Sequence, residues 1–414
     1  MTARTPLPAL GPITAIDRRL SVVEHYHACV GTHAATLETR REARIVLEGE
    51  GDLPRAVWQQ ALDRVVAVNP GLRLRLRRDC WPIRWSSDAP APQVRWVDDC
   101  EWDVRSQRGS GFISDGAISL EDGPCFELIV ARRRGGGLLV ILRSFHAVFD
   151  GGGYLHFLQE LFRALRGEAP LGTNAAFSDV DLVRSLDVRH TTSRHVPTCG
   201  LTGTPQGRAR GDEWRRISLG RPRPRLMARA AVVMANHAHQ FSSAPALIAV
   251  PVDLRRHCPG LRSTMNFSNM LLVPLQPGDD EQVFQARLSS MLAQRMELAL
   301  PRALDALVWL PLPWLDRLVS RTAGNFHRRR PLETVVVSNL GAVDTAALGA
   351  PGFRLRALIP EPLPGNAFAA LSSVDGQVEM VLNLPHVLGD GGRFDRLEAY
   401  LRTHLADETA TTFE

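Results

Sequence analysis

Hydrophobic positions along the chain recur with two periods. After Asp52 and Pro54, which read as a cap and first turn, Val57, Ala61, Val65 and Val68 fall at helical spacing until Asn69-Pro70-Gly71 stops them. The next stretch, LRLRLRR, alternates strictly from Leu72 to Leu76 and predicts a strand with one buried face. Leu138–Leu142 is a short continuous apolar run suited to a buried strand. Beyond three glycines, Tyr154, Leu155, Leu158, Leu161, Phe162 and Leu165 mark one face of a helix that ends at Gly167.

Both periods are lost between residues 184 and 212, a stretch rich in Thr, Ser, Arg and Gly that reads as a crossover linker. They then resume. The pattern predicts helices near Arg225–His239 and Glu281–Leu298, and a terminal helix at Arg393–Leu405. Strands are predicted at Ala246–Val252, Met270–Leu275, Thr334–Ser338, Phe368–Ser373 and Val378–Leu384. A chain of 414 residues exceeds one compact core, so this mixture implies an α/β (α+β) sandwich in two lobes, 1–183 and 213–414.

Composition narrows the function. The chain holds 49 basic residues and every one is arginine, so lysine Schiff-base chemistry is excluded. A net charge of +5 suits an acidic partner, but the arginine runs at 132–134 and 328–330 are short and lack interleaved aromatics, which argues against nucleic acid. The six cysteines form no CxxC pair and no zinc spacing, the pattern of reduced thiols. No stretch approaches eighteen uninterrupted apolar residues and the N-terminus lacks an apolar signal core; a cytoplasmic protein without a membrane span is expected.

The candidate chemistry lies at residues 145–157, FHAVFDGGGYLHF, where the apolar strand meets the amphipathic helix. A strand that delivers His146 into a cleft, a sharp turn needing glycine, and Asp150 fixing that turn together make a general base able to take a proton from a hydroxyl or amine. The same His-x-x-x-Asp-Gly-Gly order returns at His386 to Gly392, again between a strand and a helix, which suggests that both lobes share one architecture. GxSxG, Walker and dinucleotide signatures are absent. His25, His27 and His33, read as lying on an early strand or loop, lack carboxylate or cysteine partners at ligand spacing, so no metal is expected.

The SFHAVFDGGG stretch resembles the HHxxxDG motif of the CoA-dependent acyltransferase superfamily, which includes peptide-synthetase condensation domains, chloramphenicol acetyltransferase, alcohol acetyltransferases and polyketide-associated acyltransferases. RRLSVVEHY (18–26), ALDRVVAVNPGLRLRLRR (61–78), DGPCFELIV (122–130), PVDLRRH (251–257), NFSNMLLVPL (266–275) and VVVSNLG (335–341) are similar to further family segments, in family order. The resemblance implies two chloramphenicol-acetyltransferase-like lobes forming a V-shaped pseudo-dimer with a channel between them. His146 matches the catalytic base. Asp150 matches a residue that pairs with an arginine, at Arg255, and Gly151 lies where backbone approaches the reacting carbonyl. Asn269 matches a channel-lining asparagine, and Phe145, Ser338 and Asn339 are further channel candidates.

Two departures stand out: Phe145 replaces the first histidine of the motif, and Asn266 replaces a usual glycine, which bears on channel shape. The second motif, His386 to Asp390, reads as an echo of lobe duplication. The resemblance implies an acyl-CoA or carrier-protein thioester as donor, an alcohol or amine as acceptor, and no metal or redox cofactor. Ester formation is favoured; a stand-alone amide-forming condensation enzyme and a degenerate domain that recruits a carrier protein are the alternatives. A cleft formed within one chain makes a monomer the expected state.

Overall fold

The computed structural model describes residues 7–33, 42–116, 118–188, 198–207, 209, 211–315, 317, 332–361 and 365–407, with side chains from 30 to 33 excepted. In chain order the first half runs β1 (Asp17–Arg19), α1 (Val22–His33), β2 (Glu42–Gly51), α2 (Arg55–Val68), β3 (Arg75–Arg77), β4 (Arg84–Ser86) and β5 (Val94–Cys100). It continues with β6 (Phe126–Arg133), β7 (Leu138–Phe145), α3 (Gly151–Leu165) and α4 (Asp179–Leu186). The second half opens with β8 (Asp212–Gly220), α5 (Leu226–His239), β9 (Ala246–Asp253), β10 (Ser268–Leu275) and α6 (Glu281–Ala293). It closes with β11 (Val335–Ala342), β12 (Phe353–Glu361), β13 (Phe368–Val374), β14 (Gln377–Pro385), α7 (His386–Gly389) and α8 (Arg393–Leu405).

Two larger sheets carry the lobes. One is five-stranded in the order β12-β2-β7-β6-β5, the other six-stranded in the order β10-β9-β11-β13-β14-β8. All eight residues of β7 are buried, which is why its sequence is a continuous apolar run and not an alternation. Leu138, Val140 and Leu142 face the core shared with α2 and α3, while Leu139 and Ile141 join a second cluster with Trp102, Trp214, Ile359 and Val381. Since Trp214 lies on β8 and Val381 on β14, that second cluster joins the two sheets.

The sheets are also joined by the chain. Strand β12, from the 213–414 stretch, leaves the second sheet and pairs antiparallel with β2 at the edge of the first, from Phe353 opposite Gly51 to Glu361 opposite Arg44. Arg44 and Glu361 add an ion pair at 3.2 Å across that seam.

Three local expectations are corrected. LRLRLRR is not one strand: Pro70–Arg73 form a 3-10 turn and only Arg75–Arg77 pair, because Pro70 and Gly71 favour the turn. Leu72, Leu74 and Leu76 are buried all the same. The helix from Glu281 ends at Ala293, where Arg295 turns left-handed (φ 54°) before a 3-10 turn at Met296–Leu298. Residues 22–33 are helical, not strand or loop; Ser21 and Glu24 form a capping box, Glu24 N donating to Ser21 Oγ at 3.1 Å and Ser21 N to Glu24 Oε2 at 2.7 Å.

Candidate active site

His146 is the first residue past β7, at a turn where Val148 N and Phe149 N both donate to the Phe145 carbonyl, at 3.0 and 3.3 Å. Its Nδ1 lies 2.7 Å from the Phe149 carbonyl oxygen. A carbonyl oxygen only accepts, so Nδ1 carries the proton, and in the neutral ring Nε2 is left with the basic lone pair. The residue is half-buried.

Asp150 follows in extended conformation and caps α3, its Oδ1 accepting from Gly153 N at 2.6 Å. It is 1% exposed. Its two oxygens meet the Arg255 guanidinium in a bidentate pair at 3.0 Å each, and Oδ2 also accepts from Phe267 N at 2.7 Å. Asp150 therefore spends its acceptors on holding the turn to the second half of the chain. Arg255 in turn donates to the Ser263 carbonyl at 3.1 Å, to the Met265 carbonyl and to Asp253 at 3.0 Å, and its Cζ lies over the Phe267 ring, 5.1 Å from the centroid. Burial alone would lower the guanidinium pKa; Asp150 and Asp253 beside it bring it above its ordinary value.

The glycines explain how the two halves come so close. A Cβ on Gly153 would sit 2.1 Å from the Thr264 carbonyl oxygen, and one on Gly152 would sit 2.6 Å from Arg255 Nη1. Gly151 is exposed at the start of α3, with Leu340 3.7 Å from where its Cβ would be, so the end of β11 borders the same turn.

Other site candidates fall in varied places. Phe145, the last residue of β7, is 3% exposed and packs in the main core cluster with Leu138, Val140 and Leu142. Asn269 is half-buried near the start of β10, its Nδ2 donating to the Glu297 carbonyl at 2.7 Å and its Oδ1 accepting from Met270 N at 2.9 Å. Ser338 is half-buried on β11, and Asn339 is exposed there and accepts from Gly341 N at 2.9 Å.

Two residues acquire roles the sequence did not give them. Asn266, noted only as a replacement for glycine, is 2% exposed and donates through Nδ2 to the His146 carbonyl at 2.9 Å. Its Oδ1 accepts from Ser268 N at 3.1 Å, which fixes the amide's orientation. His27 on α1 meets His146, the ring centroids 4.5 Å apart with planes at 60°. The Ser-x-x-Glu spacing of Ser21 and Glu24 is a capping-box signal that could have shown the helix, but no local signal shows that neighbour. His25 instead bonds through Nε2 to the Leu310 carbonyl at 2.9 Å. The His33 side chain lies outside the described residues. Among the described residues no group of three or more His, Cys, Asp or Glu side chains is placed to hold a metal ion.

Comparison with solved structures places this geometry in a known architecture. The first condensation domain of the calcium-dependent antibiotic synthetase, in complex with a substrate analogue, is similar over 96% of this chain and 98% of its own, at 19% identity and a TM-score of 0.68. The fold is that of a condensation domain. The starter condensation domain of rhizomide synthetase RzmA, in a variant bound to C8-CoA and Leu-SNAC, covers 96% of both chains at 17% identity and a TM-score of 0.64. The EpoB cyclization-docking bidomain from Sorangium cellulosum covers 99% of this chain and 88% of its own, at 16% identity and a TM-score of 0.67. No protein-family model matches the sequence, and a search of curated proteins finds no relative. No helix among the described residues is long and apolar enough to cross a membrane.

Proposed function

We propose that the chain is an acyltransferase that moves an acyl group from a CoA or carrier-protein thioester to a hydroxyl of a small molecule or tethered acceptor, with His146 as general base. The observation that carries this reading is the Nδ1–H to Phe149 carbonyl bond, which commits the other ring nitrogen to accepting a proton. The acceptor hydroxyl gives its proton to Nε2 as its oxygen attacks the thioester carbonyl. Collapse of the tetrahedral adduct breaks the carbon–sulfur bond, and the imidazolium returns the proton to the departing thiolate. Products are one ester and one free thiol.

Amide formation with an amine acceptor is the second reading. It is favoured by the likeness of the fold to condensation domains of peptide synthetases. The same base serves both, because either acceptor must lose a proton during attack. A role in recruiting a carrier protein without catalysis predicts tolerance of His146→Ala.

The test is thiol release from acyl-CoA thioesters of increasing length with pooled alcohols and amines, for wild type, His146→Ala and His386→Ala. Loss in His146→Ala alone supports transfer at the first motif, and product analysis separates ester from amide. Equal slow release in all three overturns CoA-dependent catalysis at either histidine.

A further inference from the structure

The residue before His146 is a phenylalanine committed to the core, so the chain supplies no imidazole at 145. It supplies one from elsewhere. His27 presents its ring to the His146 ring at a 4.5 Å centroid separation and 60° between planes, an edge-to-face contact, and Tyr26 packs on His27 in turn at 5.3 Å and 70°.

Helix α1 is held firmly enough to make this contact specific. Its start is fixed by the capping box and by the Arg18–Glu24 pair, two bonds of 2.7 Å. His25 and Cys29, four residues apart and so on one face, bond to the Leu310 and Leu312 carbonyls at 2.9 and 3.5 Å. His27 is two residues on from His25, about 200° around the helix by its 3.6-residue turn, and so faces away from that strap and toward β7. The strap clamps one side of α1 while the other side delivers His27.

The bond at Nδ1 sets the tautomer of His146, and proton transfer also depends on where Nε2 points. We propose that His27 is a positioning residue for the His146 base, its ring packing edge-to-face on the His146 ring from α1 and so holding the direction of Nε2. The proposal rests on the general-base reading above.

The test compares His27→Ala, His27→Phe and His146→Ala. Single-turnover thiol release is measured with saturating acyl-CoA and acceptor, and nitrogen-15 NMR reports the tautomer and ring order of His146. His27→Ala is expected to lower kcat about 10- to 100-fold with the donor KM unchanged, and to blur the Nδ1–H signature of His146. His27→Phe, which keeps a flat ring edge, is expected to recover most of both. Unchanged kcat, a loss confined to KM, or a His27→Phe variant as impaired as His27→Ala overturns the proposal. An unaltered His146 NMR signature in a folded His27→Ala protein overturns it even if no thiol is released, whereas full release by His146→Ala defeats only the general-base reading.

Discussion

The sequence His-x-x-x-Asp-Gly-Gly occurs twice, at 146–152 and 386–392, and folds in two different ways. In the first copy Asp150 is 1% exposed, caps α3 and is gripped by Arg255. In the second, Asp390 ends the short helix α7, its side chain is 50% exposed, and it lies 3.8 Å from His386. The glycines diverge too: Gly151 to Gly153 are the first turn of α3, whereas Gly391 and Gly392 are left-handed at φ 68° and 73° and precede α8. What separates the copies is not the motif but its partner. Arg255 and Phe267 hold the first aspartate inward, while the tautomer of His146 is set by the Phe149 carbonyl, where the second copy has Gly389.

The largest expected difference between the copies is in rate. His146→Ala should slow thiol release about 10²- to 10⁴-fold, the usual contribution of a general base. His386→Ala, at a side chain 33% exposed, should stay within about twofold of wild type, the scale of a surface substitution. Comparable losses in both would erase the functional contrast.

In stability, Arg255→Ala strands the buried Asp150 carboxylate and should cost about 3–5 kcal/mol, read from the denaturant midpoint. Asp390→Ala should cost less than about 0.5 kcal/mol. Gly153→Ala and Gly391→Ala sharpen the contrast further, because each should cost only about 1–3 kcal/mol but for separate reasons. The first forces a methyl toward the Thr264 carbonyl, while a Cβ on Gly391 meets nothing within 4 Å and suffers only its left-handed backbone. Gly153→Ala alone should also slow transfer, since the displaced loop carries the Asn266 bond to His146.

These differences mark where the sequence was readable. The strand, turn and helix around His146 are contiguous, and their patterns survive folding: Leu138–Leu142 lies within β7, and the terminal helix at Arg393–Leu405 has the expected bounds. Residues brought together by tertiary contact left no such trace. Nothing local to FRLRALIPE says that it pairs with β2 and not with its own lobe, and nothing local to His27 says that it will meet His146, 119 positions on. Phe145 escapes the strand pattern: alternation would place it with Leu139 and Ile141, yet at the end of β7 it packs in the core cluster of Leu138, Val140 and Leu142. The two HxxxDGG copies differ locally, with Phe149 against Gly389 and Gly153 against Arg393, but the distant arginine that grips Asp150 leaves no trace in either.

A last, pH-dependent effect concerns the helix that the first copy caps. His156 on α3 is pushed down to about 4 by burial, reinforced by Arg255 and Arg262 and opposed by Glu160. In the unfolded chain the same imidazole returns to its ordinary value of 6.5. As pH falls, the unfolded chain therefore takes up this proton first, so the contribution is complete above 6.5 and is lost progressively toward about 4. Stability should drop across that window by about 3 kcal/mol from this group, read from the denaturant midpoint of wild type. His156→Gln should fall less steeply over the same range, while a slope identical to wild type would show that folding does not shift this imidazole.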